Sequence, residues 1–130
     1  MYETARGWVR LPVAAMGQTM LELEVAEQAG WQVLTVHGEV DVTTTPRVRA
    51  RLIAMLSDGR PQLIVDLEGV DFLDSSGLGA LVAALKLARS RGGELRLVCE
   101  KQRSVRKVLQ VTGLDRVLDR FDSVDDAIAA

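Results

Sequence analysis

"VDFLDSSGLGALVAAL", Val70 to Leu85, is the stretch on which the reading of the whole chain turns. Its opening residues end an apolar run with the character of a buried strand, and its closing residues place leucines on one helical face. Asp-Ser-Ser-Gly-Leu-Gly stands between them, and a strand passing into a helix through such a junction is the unit of a layered α/β protein. A serine here is a preferred helix cap, because its oxygen accepts an orphan N–H of the first turn. Asp74, Ser75 and Ser76 can each cap, so two of them are surplus. Gly77 and Gly79 are also odd, since glycine inside a helix costs about 1 kcal/mol against alanine. Accepting that loss twice points to side chains being kept clear so that something can approach the helix N-terminus.

Outward from this junction, strands and helices alternate. "QLIVDL", Gln62 to Leu67, is a continuous apolar run typical of a strand covered on both faces. Before it lies a helix with Thr45 as its N-cap, Pro46 in its first position and a stripe of Val48, Leu52, Ile53 and Leu56. "LELEVAE", Leu21 to Glu27, and Trp31 to Glu39 have strand periodicity, and Ala29-Gly30 between them predicts an antiparallel hairpin. Downstream come the strand "ELRLVCE" and the helix "SVRKVLQVT", stopped by Gly113. "DRVLDRF" follows as a short strand, and Ser123 with Asp126 opens a last helix as a capping box. The expected fold is therefore α/β, in the order β-β-α-β-α-β-α-β-α. It is a mixed, mainly parallel sheet of about five strands with helices packed on it. Residues 1–19 read as a flexible tail and residues 20–130 as one domain.

Composition narrows the function. With 130 residues, 48% hydrophobic and 26% charged, the chain has the make-up of a globular domain. A net charge of −2, with basic and acidic residues interleaved, argues against direct nucleic-acid binding. No apolar run reaches the roughly 18 residues that cross a bilayer, so no membrane partner is expected and the domain reads as cytoplasmic. Cys99 and His37 are the only residues of their kinds, too few for a disulfide or a zinc cluster. Cys99, within "LRLVC", has the surroundings of a core residue.

Three uses of the hydroxyls at 75 and 76 then compete. The first is capping. The second, nucleophilic catalysis, needs an adjacent base and an oxyanion site. The stretch is not G-x-S-x-G, His37 is the lone imidazole, and Gly77-Leu78-Gly79 is too short for a phosphate loop and lacks its lysine. Neither an enzyme nor a cofactor is expected. In the third, serine is itself the substrate. "GEVD", Gly38 to Asp41, ends one strand and Ser75 follows another, so both lie beyond strand carboxyl ends, where α/β binding sites gather. A phosphate at a helix N-terminus is gentle to the fold, because the dipole and free N–H groups favour an anion. It is harsh to a docked partner, adding about 1.5 to 2 negative charges beside Asp41, Asp71 and Asp74.

Three segments carry a resemblance: "GEVD" at 38–41 with the threonines after it, "VDFLDSSGLGAL" at 70–81 and "VRKVLQVTGLDRVLDRF" at 105–121. In these the chain resembles the anti-sigma-factor antagonists of the STAS domain family. The resemblance implies that Ser75 is phosphorylated by a partner that is both anti-sigma factor and serine kinase. The unphosphorylated antagonist would bind that partner and free the sigma factor, phosphorylation would break the complex, and a PP2C-type phosphatase would restore it. It further implies that Asp41, Asp74 and Ser76 surround the phosphosite. Thr43, Thr44 and Gly77 would belong to the partner interface, on a monomer or weak dimer. The N-terminal tail departs from the minimal family pattern. The alternative within the family is a non-phosphorylated scaffold or lipid-transport subunit, in which Ser75 only caps.

Overall fold

A computed structural model describes residues 2–3, 9–10, 21–58 and 61–130. Strands β3 (Leu21–Gln28) and β4 (Trp31–Val40) form the expected hairpin, with Gln28 opposite Trp31. Ala29 and Gly30 between them have φ of 52° and 84°. Left-handed residues at both central positions are what a two-residue hairpin turn needs to match the strand twist. Helix α1 (Thr45–Asp58) leads to β5 (Gln62–Leu73), α2 (Ser75–Ser90), β6 (Glu94–Val98) and α3 (Arg103–Thr112). A 3-10 turn (Leu114–Arg116), β7 (Asp119–Phe121) and α4 (Val124–Ala129) complete the domain. β4 pairs in parallel with β5, β5 with β6, and β6 with β7. This is the five-stranded mixed sheet of the sequence reading.

Three details differ from it. Most of the expected tail lies outside the described residues, but β1 (Tyr2–Glu3) and β2 (Val9–Arg10) within it extend the sheet beyond β3. β5 does not stop at Leu67 but runs on to Leu73. Register shifts against β4, between Thr35 and His37 and between Gly38 and Glu39, interrupt the alternation that would have revealed the longer strand. "DRVLDRF" yields only the three residues of β7, because Leu114–Arg116 winds into the 3-10 turn after Gly113.

The two faces of the sheet are unequal. Leu63, Val65 and Leu67 of β5 join Leu52 and Leu56 of α1, Leu81 and Leu85 of α2, and Val105 and Leu109 of α3 in the main core. Full burial of each such side chain contributes about 1.5–3 kcal/mol, so three helices are fixed to this face. The other face carries a smaller cluster of Trp31, Val33, Ile64 and Val98 with Ala127, beneath the short α4. Arg96 ties that helix down: its guanidinium lies 4.6 Å from the Trp31 ring centre and 5.4 Å from that of Phe121. It also donates to the carbonyl oxygens of Ala127 and Ala130. As expected, Ser123 Oγ caps α4 by accepting from Asp126 N at 3.0 Å. The parallel strands all end on one edge, at Val40, Leu73, Val98 and Phe121.

Candidate functional site

Asp41 and Asp74 each follow a strand end on that edge, and the pairing of Val40 with Leu73 sets them side by side. The Asp74 amide also donates to the Val40 carbonyl at 3.1 Å. Asp74 is the N-cap of α2: its Oδ1 accepts from the amides of Ser76 (2.9 Å) and Gly77 (3.2 Å) and from Ser76 Oγ (2.5 Å). Of the three capping candidates in the sequence, the aspartate takes the role. Ser75, the first helical residue, is exposed, and its hydroxyl has no hydrogen-bond partner among the described residues. The amides of Ser76 and Gly77, expected to await an anion, are committed to Asp74. A charge placed on Ser75 is thus left facing outward.

Asp41 repeats the arrangement. Its Oδ1 accepts from the amides of Thr43 (2.9 Å) and Thr44 (3.1 Å) and from Thr43 Oγ1 (2.6 Å). Thr44 and Thr45 are both buried, contrary to a surface role for Thr44. The Thr44 hydroxyl accepts from Asp41 N at 2.9 Å and donates to the Glu39 carbonyl at 2.8 Å, closing the turn from inside. Thr45 is not the cap but the first residue of α1, and Pro46 is the second. The Thr45 hydroxyl lies 3.0 Å from Ser76 Oγ. Since the single proton of Ser76 goes to Asp74, Thr45 is the donor in that pair. This bridge joins the starts of α1 and α2, and the sequence reading had no signal for it beyond a run of three threonines.

Gly77 is also buried, so it presents no partner surface. A Cβ there would fall 2.4 Å from Leu73 Cδ1 and 2.8 Å from Val40 Cγ1. Its bareness serves the seating of α2 on the sheet rather than the approach of a visitor. At Gly79 an added Cβ meets nothing within 4 Å, and that residue is exposed. Two apolar side chains missed by the sequence reading complete the edge: Val42, 72% exposed beside Asp41, and Phe72, 48% exposed just before the junction. The signal lay in the sequence: Phe72 is one of only two phenylalanines, within the decisive stretch itself.

Burial pushes the Cys99 thiol up to about 11, in keeping with a core residue. Burial also raises the Asp66 carboxyl above its usual range, opposed by the Glu68 amide that it accepts. Among the described residues, no three His, Cys, Asp or Glu side chains gather as metal ligands. No helix among them is long and apolar enough to cross a membrane.

The STAS domain profile matches residues 22–127, and the chain belongs to the STAS domain family. It is 34% identical over 94 residues to an anti-sigma-B factor antagonist of Staphylococcus aureus, covering 72% of this chain and 86% of that protein. To an anti-sigma F factor antagonist of Paenibacillus polymyxa it is 28% identical over 109 residues, covering 83% and 92%. In structure it is similar to an anti-sigma factor antagonist from Mycobacterium paratuberculosis. That match has a TM-score of 0.75 and 26% identity, and covers 98% of this chain and 97% of the other.

Proposed function

We propose that this chain is an anti-sigma-factor antagonist worked by a phosphate on Ser75. It is a binding protein rather than an enzyme. Unphosphorylated, it docks on an anti-sigma factor that is also a serine kinase, and so frees the sigma factor. Phosphorylation of Ser75 ends that complex, and a PP2C-type phosphatase resets it. The observation that carries this reading is the Ser75 hydroxyl, exposed and without a partner in the first turn of α2, beside an aspartate that already satisfies the cap. Val42, Thr43 and Phe72 supply an exposed docking rim, with Asp41 and Asp74 beside it. A phosphate brings about 1.5 to 2 negative charges into this setting. Because Asp74 already holds the Ser76 and Gly77 amides, that charge acts on whatever is docked and leaves the cap unaltered. The named relatives support the antagonist role, and the geometry at Ser75 supports the switch.

The test is incubation with an anti-sigma serine kinase and ATP, followed by intact-mass measurement and a pull-down of kinase with each form. One added phosphate and loss of the kinase from the labelled form are expected. A label that persists after Ser75→Ala would defeat the assignment. No label with any such kinase would leave Ser75 as a helix-start residue in a scaffold or lipid-transport subunit.

A further inference from the structure

The carboxyl edge of the sheet holds a second concavity, beyond β6 and β7. A cleft of about 480 Å³ is lined by Arg103, Arg106, Lys107 and Gln110 of α3, by Asp115 and by Arg120 of β7. The four α3 positions are spaced i, i+3, i+4 and i+7, which puts them on one stripe of the helix. Opposite that stripe, Val105 and Leu109 anchor α3 in the core, so the cations are held toward the cleft by packing. Basic residues that are interleaved with acids along the sequence are thus gathered in space, four against one carboxylate, in a chain of net charge −2.

These cations are poorly matched by the protein itself. Arg106 donates to the Glu100 carbonyl at 3.2 Å and lies 3.8 Å from its carboxylate, while its Nε–H is shut off from solvent with no acceptor. A buried guanidinium N–H without a partner is unusual and calls for an acceptor. Arg103, Lys107 and Arg120 have no carboxylate within ion-pair distance among the described residues. Arg103, Lys107 and Arg120 are exposed and solvated, so an anion entering the cleft would exchange their hydration for charge-assisted hydrogen bonds.

An adjoining cavity of about 310 Å³ shares Arg106, Asp115 and Arg120 with the cleft. It has the opposite character, with Glu100, Asp119 and Asp122 on its wall beside Phe121. A long polyanion would be repelled by that wall. A compact molecule with one phosphate and several hydroxyls fits both halves, its phosphate on the guanidinium groups and its hydroxyls donating to the carboxylates.

We propose that this paired cleft binds a small phosphate monoester bearing hydroxyl groups, of the sugar-phosphate class. The site is separate from Ser75, so its failure would leave the phosphoswitch reading untouched. The test is titration of the 15N-labelled chain at fixed ionic strength with glucose 6-phosphate, inorganic phosphate and glucose. Saturable amide shifts around 103–107 and 119–122 are expected with glucose 6-phosphate, weaker ones with phosphate and none with glucose. Replacing Arg106→Gln and Arg120→Gln together is expected to weaken glucose 6-phosphate by about tenfold or more, as loss of charge-assisted bonds requires. Lys107→Gln, on the exposed helix surface, gives a smaller loss and serves if the double variant does not fold. Absent or non-saturating shifts, an equal response to glucose, or unchanged affinity in the variants would overturn the proposal.

Discussion

Asp41 and Asp74 head two junctions built from the same parts with different outcomes. In each, one carboxylate oxygen holds the amides two and three residues on and the hydroxyl two residues on. Position by position, Val42 answers to Ser75, Thr43 to Ser76 and Thr44 to Gly77. After Asp74 the helix starts at once; after Asp41 it waits until Thr45. The third residue makes the difference. Gly77 has no side chain to keep it off Leu73 and Val40, so α2 continues straight from the turn. Thr44 instead turns its hydroxyl back to Glu39 and inserts an extra turn before α1. The same capping chemistry therefore leaves an exposed serine on a helix start at one junction and an exposed valine on a loop at the other.

The largest effect should come from Ser75→Ala, with complete loss of kinase-dependent phosphate in the intact mass and an unchanged circular dichroism spectrum. Next is the carboxylate pair. Asp74→Ala and Asp41→Ala should each lower unfolding free energy in urea by about 1–2 kcal/mol, the usual effect of removing a cap. Equal values would show the two turns to be energetic equivalents; a negligible loss at Asp41 would break the parallel. Gly77→Ala should destabilise by about 1 kcal/mol net, overpacking of about 1–3 kcal/mol outweighing the helix-propensity gain. Gly79→Ala, with open space around it, should stabilise by about 0.5–1 kcal/mol. A shared sign for the two glycines in thermal melts would contradict the packing account of Gly77. The smallest effect is the sharpest comparison: Val42→Ser placed in the Ser75→Ala chain should restore no label. If phosphate appeared there, an aspartate-serine turn would suffice and the helix start would be irrelevant.

Much of this was legible beforehand, for reasons visible in particular residues. Leu63, Ile64 and Val65 in unbroken sequence announced a strand covered on both faces, and both clusters do cover it. Ala29-Gly30 announced the hairpin. The continuity of β5 was not legible: Gln62–Leu67 and the strand end before Asp74 were read apart, because the register shifts scramble the alternation between them. At the site, their place at strand ends put Asp41, Asp74 and Ser75 on one edge in the sequence reading, and the pairing of Val40 with Leu73 sets them there. Thr44 and Gly77 were placed at the interface by the resemblance alone, and nothing in a short polar or bare residue marks that it faces inward.

Local chemistry along the chain was enough to fix the order of elements, the hairpin, the aspartate-serine junction and the presence of a cap. Each of these depends on neighbours within a few residues, where periodicity and hydrogen-bonding capacity act directly. Which of three capping groups does the capping, which hydroxyl is left outside, and which scattered arginines share a cleft were decided only by tertiary packing. Those outcomes depend on distances between elements far apart in sequence, such as Thr45 with Ser76 and α3 with Arg120, and only the folded sheet sets them.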